Sequence, residues 1–261
     1  MSRSMWISAT GMMAQQLNID VISNNLANIN TVGYKKSRVD FEDLMYQKLY
    51  SAGAVAGEGE LPSTLQVGLG VRSVGVPKVY TQGNLTQTLN QLDVAIEGEG
   101  FFQVLLPSGE LGYTRAGNFK INSEGYLTTP DGYMVEPQIQ MPQGIKEIFI
   151  DPDGLIRVAL HDQIELEEIG RFYIVSFPNP NGLDNLGRNI VTETPSSGQP
   201  LEASPGEMGA GTLAQGYLES SNVDIAEEMI KMIIAQRAYE INSKSIQTSD
   251  EIMAMTNNLK R

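Results

Sequence analysis

The chain has 261 residues, of which 31 are acidic and 18 basic, so its formal net charge is −13 at pH 7. It has no cysteine and a single histidine, His161. Disulfides, thiolate nucleophiles and cysteine metal sites are therefore excluded, a Ser-His-Asp triad has one possible base, and a metal site with several histidines cannot form. The acidic balance disfavours nucleic acid as a partner.

The helix-breaking residues are concentrated in the middle of the chain. All 12 prolines and 24 of the 26 glycines lie between residues 51 and 221, which predicts helical ends around a turn-rich centre. The same central segment has 8 basic and 21 acidic side chains, whereas the two ends are close to neutral. Near-neutral ends can pack against other copies without strong repulsion.

The first end is predicted to form an amphipathic helix over residues 4–30, with Gly33 near its C-cap. Apolar and small residues repeat along it with a 3-4 spacing that is typical of a coiled-coil seam. The predicted seam consists of Met5, Ala9, Met12, Gln16, Ile19, Ser23 and Leu26. Asparagines at 24, 25, 28 and 30 are unfavourable in an isolated helix, and we expect their amides to find partners on adjacent chains.

The second helix is predicted after Ser221, where Ser221-x-x-Asp224 fits a capping box. Its predicted seam consists of Ile225, Met229, Met232, Gln236, Tyr239, Ser243, Ile246, Asp250 and Met253. A second stripe contains Ile230, Ile234 and Ile241. The alternative is that both helices simply cover a globular core. The methionines and small polar residues of the seams favour a weak coiled coil that is ordered by many neighbours.

The central segment alternates short β-prone runs with turn residues, for example FFQVLL at 101–106 followed by PSGE. This pattern predicts an antiparallel all-β domain. Residues 47–70 are small and Gly-rich, which is typical of an extended linker or a long hairpin. The predicted fold is therefore α+β: long N- and C-terminal helices pair as a coiled-coil-like α domain (1–33 and 222–261), 34–70 form a linker or hairpin, and 71–221 form the β-rich domain.

Several short motifs could be mistaken for chemistry. Gly98-Glu-Gly100 lacks the third glycine and the helix of a dinucleotide fingerprint. Asp151-Pro-Asp-Gly154 lacks the spacing and closing Glu of a calcium loop, so a β-turn is predicted. The glutamates at 165, 167 and 168 indicate a solvated face, and His161 has no serine motif beside it. We therefore predict no catalytic, cofactor-binding or metal-binding residue.

The N-terminal ten residues, MSRSMWISAT, lack the apolar core and cleavage site of a signal peptide. No apolar stretch near the C-terminus is long enough to span a bilayer. Taken alone, these features predict a cytoplasmic chain, although export by a route that reads an uncleaved terminus stays open.

The two ends closely resemble those of the bacterial flagellar basal-body rod and hook proteins. The similar segments are SATGMMAQQ at 8–16, IDVISNNLAN at 19–28, TVGYKK at 31–36, QGYLESSNVD at 215–224 and QRAYEINSK at 236–244. Residues 93–102 and 113–119 are similar to β-domain motifs of that family. FEDLMYQ at 41–47 and LPSTLQVGLGVR at 61–72 are most similar to its distal-rod branch. A proximal-rod paralogue is the alternative, and it generally lacks the 47–70 insertion.

The resemblance implies a structural subunit with no enzymatic activity. The terminal helices would form an inner layer of a helical tube that transmits torque from the motor to the hook, and the 47–70 insertion would wedge between neighbours and stiffen it. The expected partners are copies of the chain, proximal rod proteins, the hook protein, ring proteins around the rod and the flagellar type III export apparatus. The expected location is the distal rod in the periplasm, reached without a cleaved signal.

Two sets of residues follow from this interpretation. The self-assembly interface is predicted at Met5, Met12, Ile19, Asn24, Asn25, Leu26, Asn28, Met229, Met232, Gln236, Tyr239, Ile246 and Met253. The stiffening insertion is predicted at Leu61, Pro62, Leu65, Val67, Gly68 and Gly70. A secreted β-domain enzyme acting on the cell wall and a monomeric ligand-binding module are the alternatives from other classes, and both leave the terminal motifs unexplained.

Overall fold

The computed structural model describes residues 3–50, 55–56, 59–60, 64–160, 166–207 and 209–259. The chain divides into two compact units. The first consists of Met1–Ala27, Ser37–Pro77 and Asp224–Arg261, and the second of Asn28–Lys36 and Lys78–Val223. The predicted domains are 1–33 with 222–261, 34–70, and 71–221. By contacts, residues 28–36 group with the second unit, and the first unit extends to Pro77.

The first unit contains both long helices, α1 (Arg3–Ala27) and α2 (Ile225–Leu259). Helix α1 ends three residues before the predicted 4–30 boundary. The Thr31 amide donates to the Asn28 carbonyl, and the Thr31 hydroxyl donates to the Asn28 side chain, so a turn replaces the last helical turn. Gly33 has φ +69° but lies six residues beyond the helix, so the predicted C-cap at Gly33 is wrong.

Helix α2 begins with a cap that differs from the predicted one. The Asp224 side chain accepts a hydrogen bond from the Glu227 amide at 3.1 Å, which is the N-cap arrangement. Ser221 lies outside the helix, and its hydroxyl accepts from the Val223 amide instead. The predicted capping box is therefore wrong in its first member. Neither helix, within the described residues, combines the length and apolar character needed to span a bilayer.

The two helices pack antiparallel in one register. Ser4 and Ser249 share a hydrogen bond of 3.1 Å between hydroxyls, and the Ser8 hydroxyl donates to that of Ser245 at 3.1 Å. Further along, Gly11 lies against Asn242, and a Cβ at Gly11 would come within 2.9 Å of the Asn242 amide nitrogen. Moving a given number of residues towards the C-terminus of α1 moves the contact by the same number of residues towards the N-terminus of α2. The two helices therefore keep one register wherever they overlap.

A long β-hairpin completes the first unit. Its strands are β1 (Asp40–Asp43), β2 (Tyr46–Tyr50), β3 (Val55–Ala56), β4 (Gly59–Glu60), β5 (Leu65–Gly68) and β6 (Val71–Gly75). They pair antiparallel as β1 with β6, β2 with β5, and β3 with β4. The segment that the sequence predicted as a linker or hairpin thus has the nested pairing of a single hairpin.

The second unit is antiparallel β throughout its pairings. Its strands are β7 (Leu85–Gln87), β8 (Val94–Glu97), β9 (Phe102–Leu105), β10 (Leu111–Thr114), β11 (Lys120–Ile121), β12 (Leu127–Thr128), β13 (Met134–Glu136), β14 (Ile145–Ile150), β15 (Leu155–Leu160), β16 (Glu167–Arg171), β17 (Ile174–Ser176), β18 (Asp184–Gly187), β19 (Ile190–Thr192), β20 (Leu201–Ala203), β21 (Thr212–Gln215) and β22 (Tyr217–Glu219), with a 3-10 turn at Pro180–Gly182. The largest sheet has the order β11-β12-β13-β9-β10-β19-β18. A second sheet has the order β14-β15-β16. Three further pairs are β17 with β20, β8 with β21, and β7 with β22.

The main hydrophobic core of the second unit is one large cluster of buried residues, beside two smaller clusters. Three phenylalanines lie at its centre: Phe102 packs edge-on against Phe119 and Phe172, and the last two rings stack at 5.7 Å between centroids. Aliphatic residues from β8, β14 and β15 surround these rings. Alternation of inward and outward side chains along short strands produces this core, which is what the β-prone runs predicted.

The predicted α+β class, with paired terminal helices and a central antiparallel β-rich domain, is confirmed. Asp151-Pro-Asp-Gly154 forms the predicted β-turn, because the Gly154 amide donates to the Asp151 carbonyl at 2.9 Å and Gly154 has φ +88°. Glu167 and Glu168 are exposed on β16, as predicted. His161 and Glu165 lie outside the described residues.

Candidate functional site

The first unit exposes most of its large apolar side chains. Of the 27 large apolar side chains that are exposed among the described residues, 20 belong to the first unit and seven to the second. Of the 31 buried apolar residues, only Ala14, Ile22 and Ala235 belong to the first unit. Exposed apolar surface of this extent marks a site of protein–protein contact.

The helix pair explains why so much apolar surface stays uncovered. The α1 residues that face α2 include Ser4, Ser8, Gly11 and Asn25, and each lies one position before a member of the predicted seam. The same shift holds on α2, where Glu228, Ala235, Asn242, Ser245 and Ser249 precede predicted seam residues by one. Small and polar residues therefore form the contact inside the chain, and the larger apolar residues lie beside it.

A buried polar cluster fixes the register of the pair at one end. Asn25 is 1% exposed, and its side-chain amide donates to the Ser37 carbonyl at 2.8 Å and to a Glu228 carboxylate oxygen at 3.1 Å. The Asn25 side-chain oxygen accepts from the Ser37 amide at 2.9 Å. Both ends of this amide are thus satisfied within the chain, which differs from the expectation that it meets an adjacent chain.

Glu228 has a second partner on its own helix. The Lys231 ammonium lies 2.9 Å from one Glu228 oxygen and 2.8 Å from a Glu227 oxygen. Although burial alone would lower the pKa of Lys231, the hydrogen bonds and charges of Glu227 and Glu228 hold that pKa above its ordinary value. Lys231 therefore compensates part of the negative charge where α2 begins, and Glu228 joins the two helices through its bond to Asn25.

The structure places the remaining predicted interface residues at or near the surface. Asn24, Met229, Gln236, Tyr239 and Met253 are exposed, and Met5, Met12, Ile19, Leu26, Asn28, Met232 and Ile246 are partly exposed. Asn28 belongs to the second unit, because the helix ends before it. Of the insertion residues, Leu65 is exposed and Val67, Gly68 and Gly70 are partly exposed, while Leu61 and Pro62 lie outside the described residues.

Other exposed apolar residues were not assigned to the interface from sequence. On α2 these are Ile230, Ile233, Ile234 and Ile241, which are 56–68% exposed, and on α1 they are Trp6 and Met13. The hairpin adds Phe41, Met45, Tyr46, Leu49, Tyr50 and Val74. The signal that could have identified them is the repeat of small residues one position before both predicted seams, because a helix contact between small residues needs no large side chain.

In the second unit, the incomplete dinucleotide fingerprint Gly98-Glu-Gly100 has a structural role: its carbonyls accept hydrogen bonds from a buried arginine. The Arg115 guanidinium, 6% exposed, donates to the carbonyls of Ile96, Gly98 and Gly100.

A depression of about 790 Å³ near Glu124, Glu167 and Glu168 is open to solvent and has acidic walls. Within the described part of the chain, no group of three or more His, Cys, Asp or Glu side chains is placed to hold a metal ion.

Comparisons with known proteins agree with this arrangement of helical ends and β-rich middle. Three family models match: a flagella basal body rod protein model at residues 5–35, the D1 domain of the flagellar hook proteins FlgE/F/G at 95–158, and the C-terminal region of the flagellar basal body rod FlgEFG proteins at 214–259. The outer two matches cover the predicted terminal motifs, and the middle one covers the centre of the β-rich unit.

Whole-length relatives extend these matches. The chain is 50% identical to the flagellar basal-body rod protein FlgG of Buchnera aphidicola subsp. Schizaphis graminum, over 96% of both chains. It is 48% identical to that of Borreliella burgdorferi over all of both chains. It is 33% identical to the flagellar basal-body rod protein FlgF of Caulobacter vibrioides, over 97% of this chain and 95% of the relative. On these similarities, the chain belongs to the family of flagellar hook and basal-body rod proteins.

Proposed function

We propose that this chain is an axial subunit that polymerises into the rigid distal rod of a bacterial flagellum and transmits torque from the motor to the hook. The main observation that supports this proposal is the exposed apolar surface of the first unit, which has 20 large apolar side chains exposed and three apolar residues buried. FlgG relatives at 48–50% identity support the distal-rod assignment over a FlgF-like paralogue, whose identity is 33%.

The energetics favour a polymer over a dilute monomer. Full burial of a large apolar side chain contributes about 1.5–3 kcal/mol, and these 20 side chains are already partly shielded. Covering the remainder would contribute on the order of 1 kcal/mol each, hence about 20 kcal/mol per subunit before the entropic cost of association. A helical polymer can distribute that contact over many neighbours, so each individual interface can be small.

The proposed partners follow from an axial position in the flagellum. They are further copies of the chain, proximal rod proteins at one end, the hook protein at the other, ring proteins around the rod where present, and the type III export apparatus that delivers the chain across the inner membrane. The proposed location is the basal body, within the periplasm. The role is mechanical, so no catalytic step is assigned to any residue.

The hairpin is proposed to stiffen the polymer by packing between neighbouring subunits. A two-stranded hairpin is marginal in water by itself, and this one exposes Met45 at 81%, Tyr50 at 60% and Leu65 at 52%. A neighbouring copy that covers these side chains would order the hairpin and resist sliding. Deleting residues 53–65 should give a curved or flexible polymer, measured as persistence length in electron micrographs. Straight filaments of unchanged persistence length would contradict this stiffening role.

Polymerisation itself is the direct test of the proposed function. Purified chain should form helical tubes above a critical concentration, measured by sedimentation and electron microscopy, with short tubes acting as seeds. A chain that stays monomeric at millimolar concentration with or without seeds would contradict the proposal. The matched control is the chain after the terminal helices have been removed by proteolysis, which should neither polymerise nor elongate seeds.

A further inference from the structure

Residues 28–36 follow α1 in sequence but belong to the second unit. Their main chain bonds at successive positions to that unit. The Gly33 amide donates to the Glu219 carbonyl at 2.8 Å, and the Val32 carbonyl accepts from the Asn189 side-chain amide at 2.9 Å. At the next position the Tyr34 carbonyl accepts from the Asn222 amide at 3.4 Å. After the turns at its start, the segment is therefore held through its main chain, as a bound peptide is.

The far end of the segment is bound in the same way. The Lys36 amide donates to the Asn222 side-chain oxygen at 2.7 Å, and the Lys36 carbonyl accepts from the Val79 amide at 2.8 Å. The Asn222 side-chain nitrogen donates in turn to the carbonyls of Val79 and Thr81. Asn222 thus links the segment to residues 79–81, and these three stretches form one layer of hydrogen bonds.

One side chain of the segment enters a buried charge cluster. The Lys35 ammonium, 4% exposed, donates to a Glu219 carboxylate oxygen at 2.5 Å and to the Thr81 carbonyl at 2.8 Å. The other Glu219 oxygen accepts from the Arg115 guanidinium at 2.5 Å, and the Gly83 amide also donates to Glu219. Glu219 is 1% exposed. Without Lys35, Glu219 and Arg115 would form the remaining pair, and the Thr81 carbonyl would keep only the Asn222 side-chain nitrogen as a donor.

The charges in this cluster depend on each other. Burial lowers the pKa of the Lys35 ammonium, and the Glu219 carboxylate only partly opposes that effect. Burial alone would raise the pKa of the Glu219 carboxyl, but Arg115 and Lys35 hold that pKa below its ordinary value. Removing one partner of a buried pair strongly destabilises the other, because the remaining charge is still out of water. Loss of any one member therefore leaves a buried charge with less compensation than it has in the complete cluster.

The partners of the segment are far away in sequence. Lys35 and Glu219 are 184 residues apart, Lys36 and Asn222 are 186 apart, and Val32 and Asn189 are 157 apart. Such separations make the segment dependent on chain that is synthesised much later. Local contacts alone, such as the Thr31 turn on Asn28, cannot bury the Lys35 charge.

We propose that residues 28–36 act as an internal peptide ligand of the second unit, bound in a groove that Asn189, residues 79–81 and residues 219–222 complete, with Lys35 as the side chain that the groove selects. A chain that emerges N-terminus first keeps this segment unbound until residues 219–222 have appeared. A chain that lacks residues 219–222 therefore leaves residues 28–36 without these partners.

Pulsed hydrogen exchange during refolding of the full-length chain tests the order of events. Amides of 28–36 should become protected in the same kinetic phase as those of 217–222, and later than those of β9 and β10. Protection of 28–36 before 217–222 would overturn the proposal, because the segment would then bind without its groove. Protection of the whole second unit in a single phase would equally overturn it, since the segment would be part of one cooperative core.

Native-state hydrogen exchange tests the groove in the folded chain. Glu219→Gln should accelerate exchange of residues 28–36 at least 100-fold while β9 stays protected, and Lys35→Met should accelerate exchange of 217–222 to a similar degree. The matched control is Glu42→Gln, which breaks the exposed Arg72–Glu42 pair of the hairpin and should leave residues 28–36 unchanged. Unchanged exchange of 28–36 in Glu219→Gln would contradict the selection of Lys35.

A second pair of variants avoids the buried charges in case Glu219→Gln does not fold. Arg188 and Asn189 both have positive φ, at 54° and 59°, so glycine relieves backbone strain at either position. Only the Asn189 side chain bonds to Val32, whereas Arg188 bonds to the Tyr133 hydroxyl. Asn189→Gly should accelerate exchange of 28–36 about tenfold and Arg188→Gly should not. Equal exchange in the two variants would overturn the proposal.

Discussion

The two units use similar apolar side chains in opposite ways. The second unit contributes 28 of the 31 buried apolar residues, centred on Phe102, Phe119 and Phe172. The first unit contributes 20 of the 27 large apolar side chains that are exposed in the described part of the chain. The second unit therefore has its own hydrophobic core, whereas the first unit leaves its apolar surface exposed, as is typical of a protein–protein contact.

The difference originates in the side chains that pack between the sheets of the second unit and between the helices of the first. Sheets of the second unit close over aromatic rings, each of which buries a large area. In the first unit α1 and α2 meet through serines, Gly11 and Asn25, which let the helices approach closely and bury little apolar area. Close approach through small residues needs no large side chain at the contact, so isoleucines and methionines remain on the outer faces of the pair.

The largest expected effect on assembly concerns the outer face of α2. Ile230 and Ile234 are 59% and 63% exposed, and replacing both by Gln keeps a good helix former at each position. The double variant Ile230→Gln/Ile234→Gln should leave the thermal unfolding of the monomer unchanged and raise the critical concentration for polymerisation about 30-fold, because about 2 kcal/mol of apolar burial is lost per subunit. Sedimentation measures the critical concentration.

The control for this pair is Leu89→Gln in the second unit, where the side chain is fully exposed in a loop. This variant should polymerise like the unmodified chain. If Leu89→Gln impaired polymerisation as strongly as the α2 variant, the contrast between the units would fail, because the second unit would then also supply an assembly surface.

The next effect concerns the core of the second unit. Phe102 is fully buried between two other rings, and Phe102→Ala should cost about 3–5 kcal/mol of the free energy of unfolding. Phe149→Ala, at a position that is 39% exposed, is the matched control and should cost less than about 2 kcal/mol. Urea unfolding followed by tyrosine fluorescence measures both. Equal costs would show that the aromatic cluster is not the centre of stability.

A smaller effect concerns the register of the helix pair. Asn25→Ala removes three hydrogen bonds from a buried site, so it should destabilise the helical unit by about 1–3 kcal/mol. Circular dichroism at 222 nm should show the helices unfolding at lower urea while the second unit unfolds as before. Gln16→Ala, at an exposed position on the same helix, is the control and should be neutral. A neutral Asn25→Ala would contradict the role of the polar cluster.

The smallest effect is a dependence on pH that the buried charge cluster of the second unit contributes. The charges of Arg115 and Lys35 hold the pKa of Glu219 below its ordinary value against the opposing effect of burial. The unfolded chain therefore binds more protons in the window between the ordinary and the folded pKa, so stability is present above that window and falls as the pH drops through it. The difference in stability between the unmodified chain and Glu219→Gln should shrink on acidification. A constant difference would contradict the linkage.

The sequence predicted the classes of structure better than the contacts. Breaker residues and turn motifs predicted two helices and an antiparallel middle, because those signals are local. The apolar spacing predicted the helix seams one residue away from the observed contact, since spacing shows which residues share a face but not whether large or small ones turn inward. The pairing of Lys35 with Glu219 has no local signal, because 184 residues separate them.

The antiparallel register of α1 and α2 has a mechanical consequence. The first residue of α1, Arg3, lies opposite the last third of α2. The N-terminus of α1 and the C-terminus of α2 are therefore at the same end of the helix pair. A force applied between these ends separates the helices one contact at a time, beginning with the Ser4–Ser249 hydroxyls, instead of loading all contacts together. Such unzipping needs little force, so an isolated subunit should yield easily in a single-molecule pulling experiment. Strength under load must then come from the lateral contacts that hold many copies together.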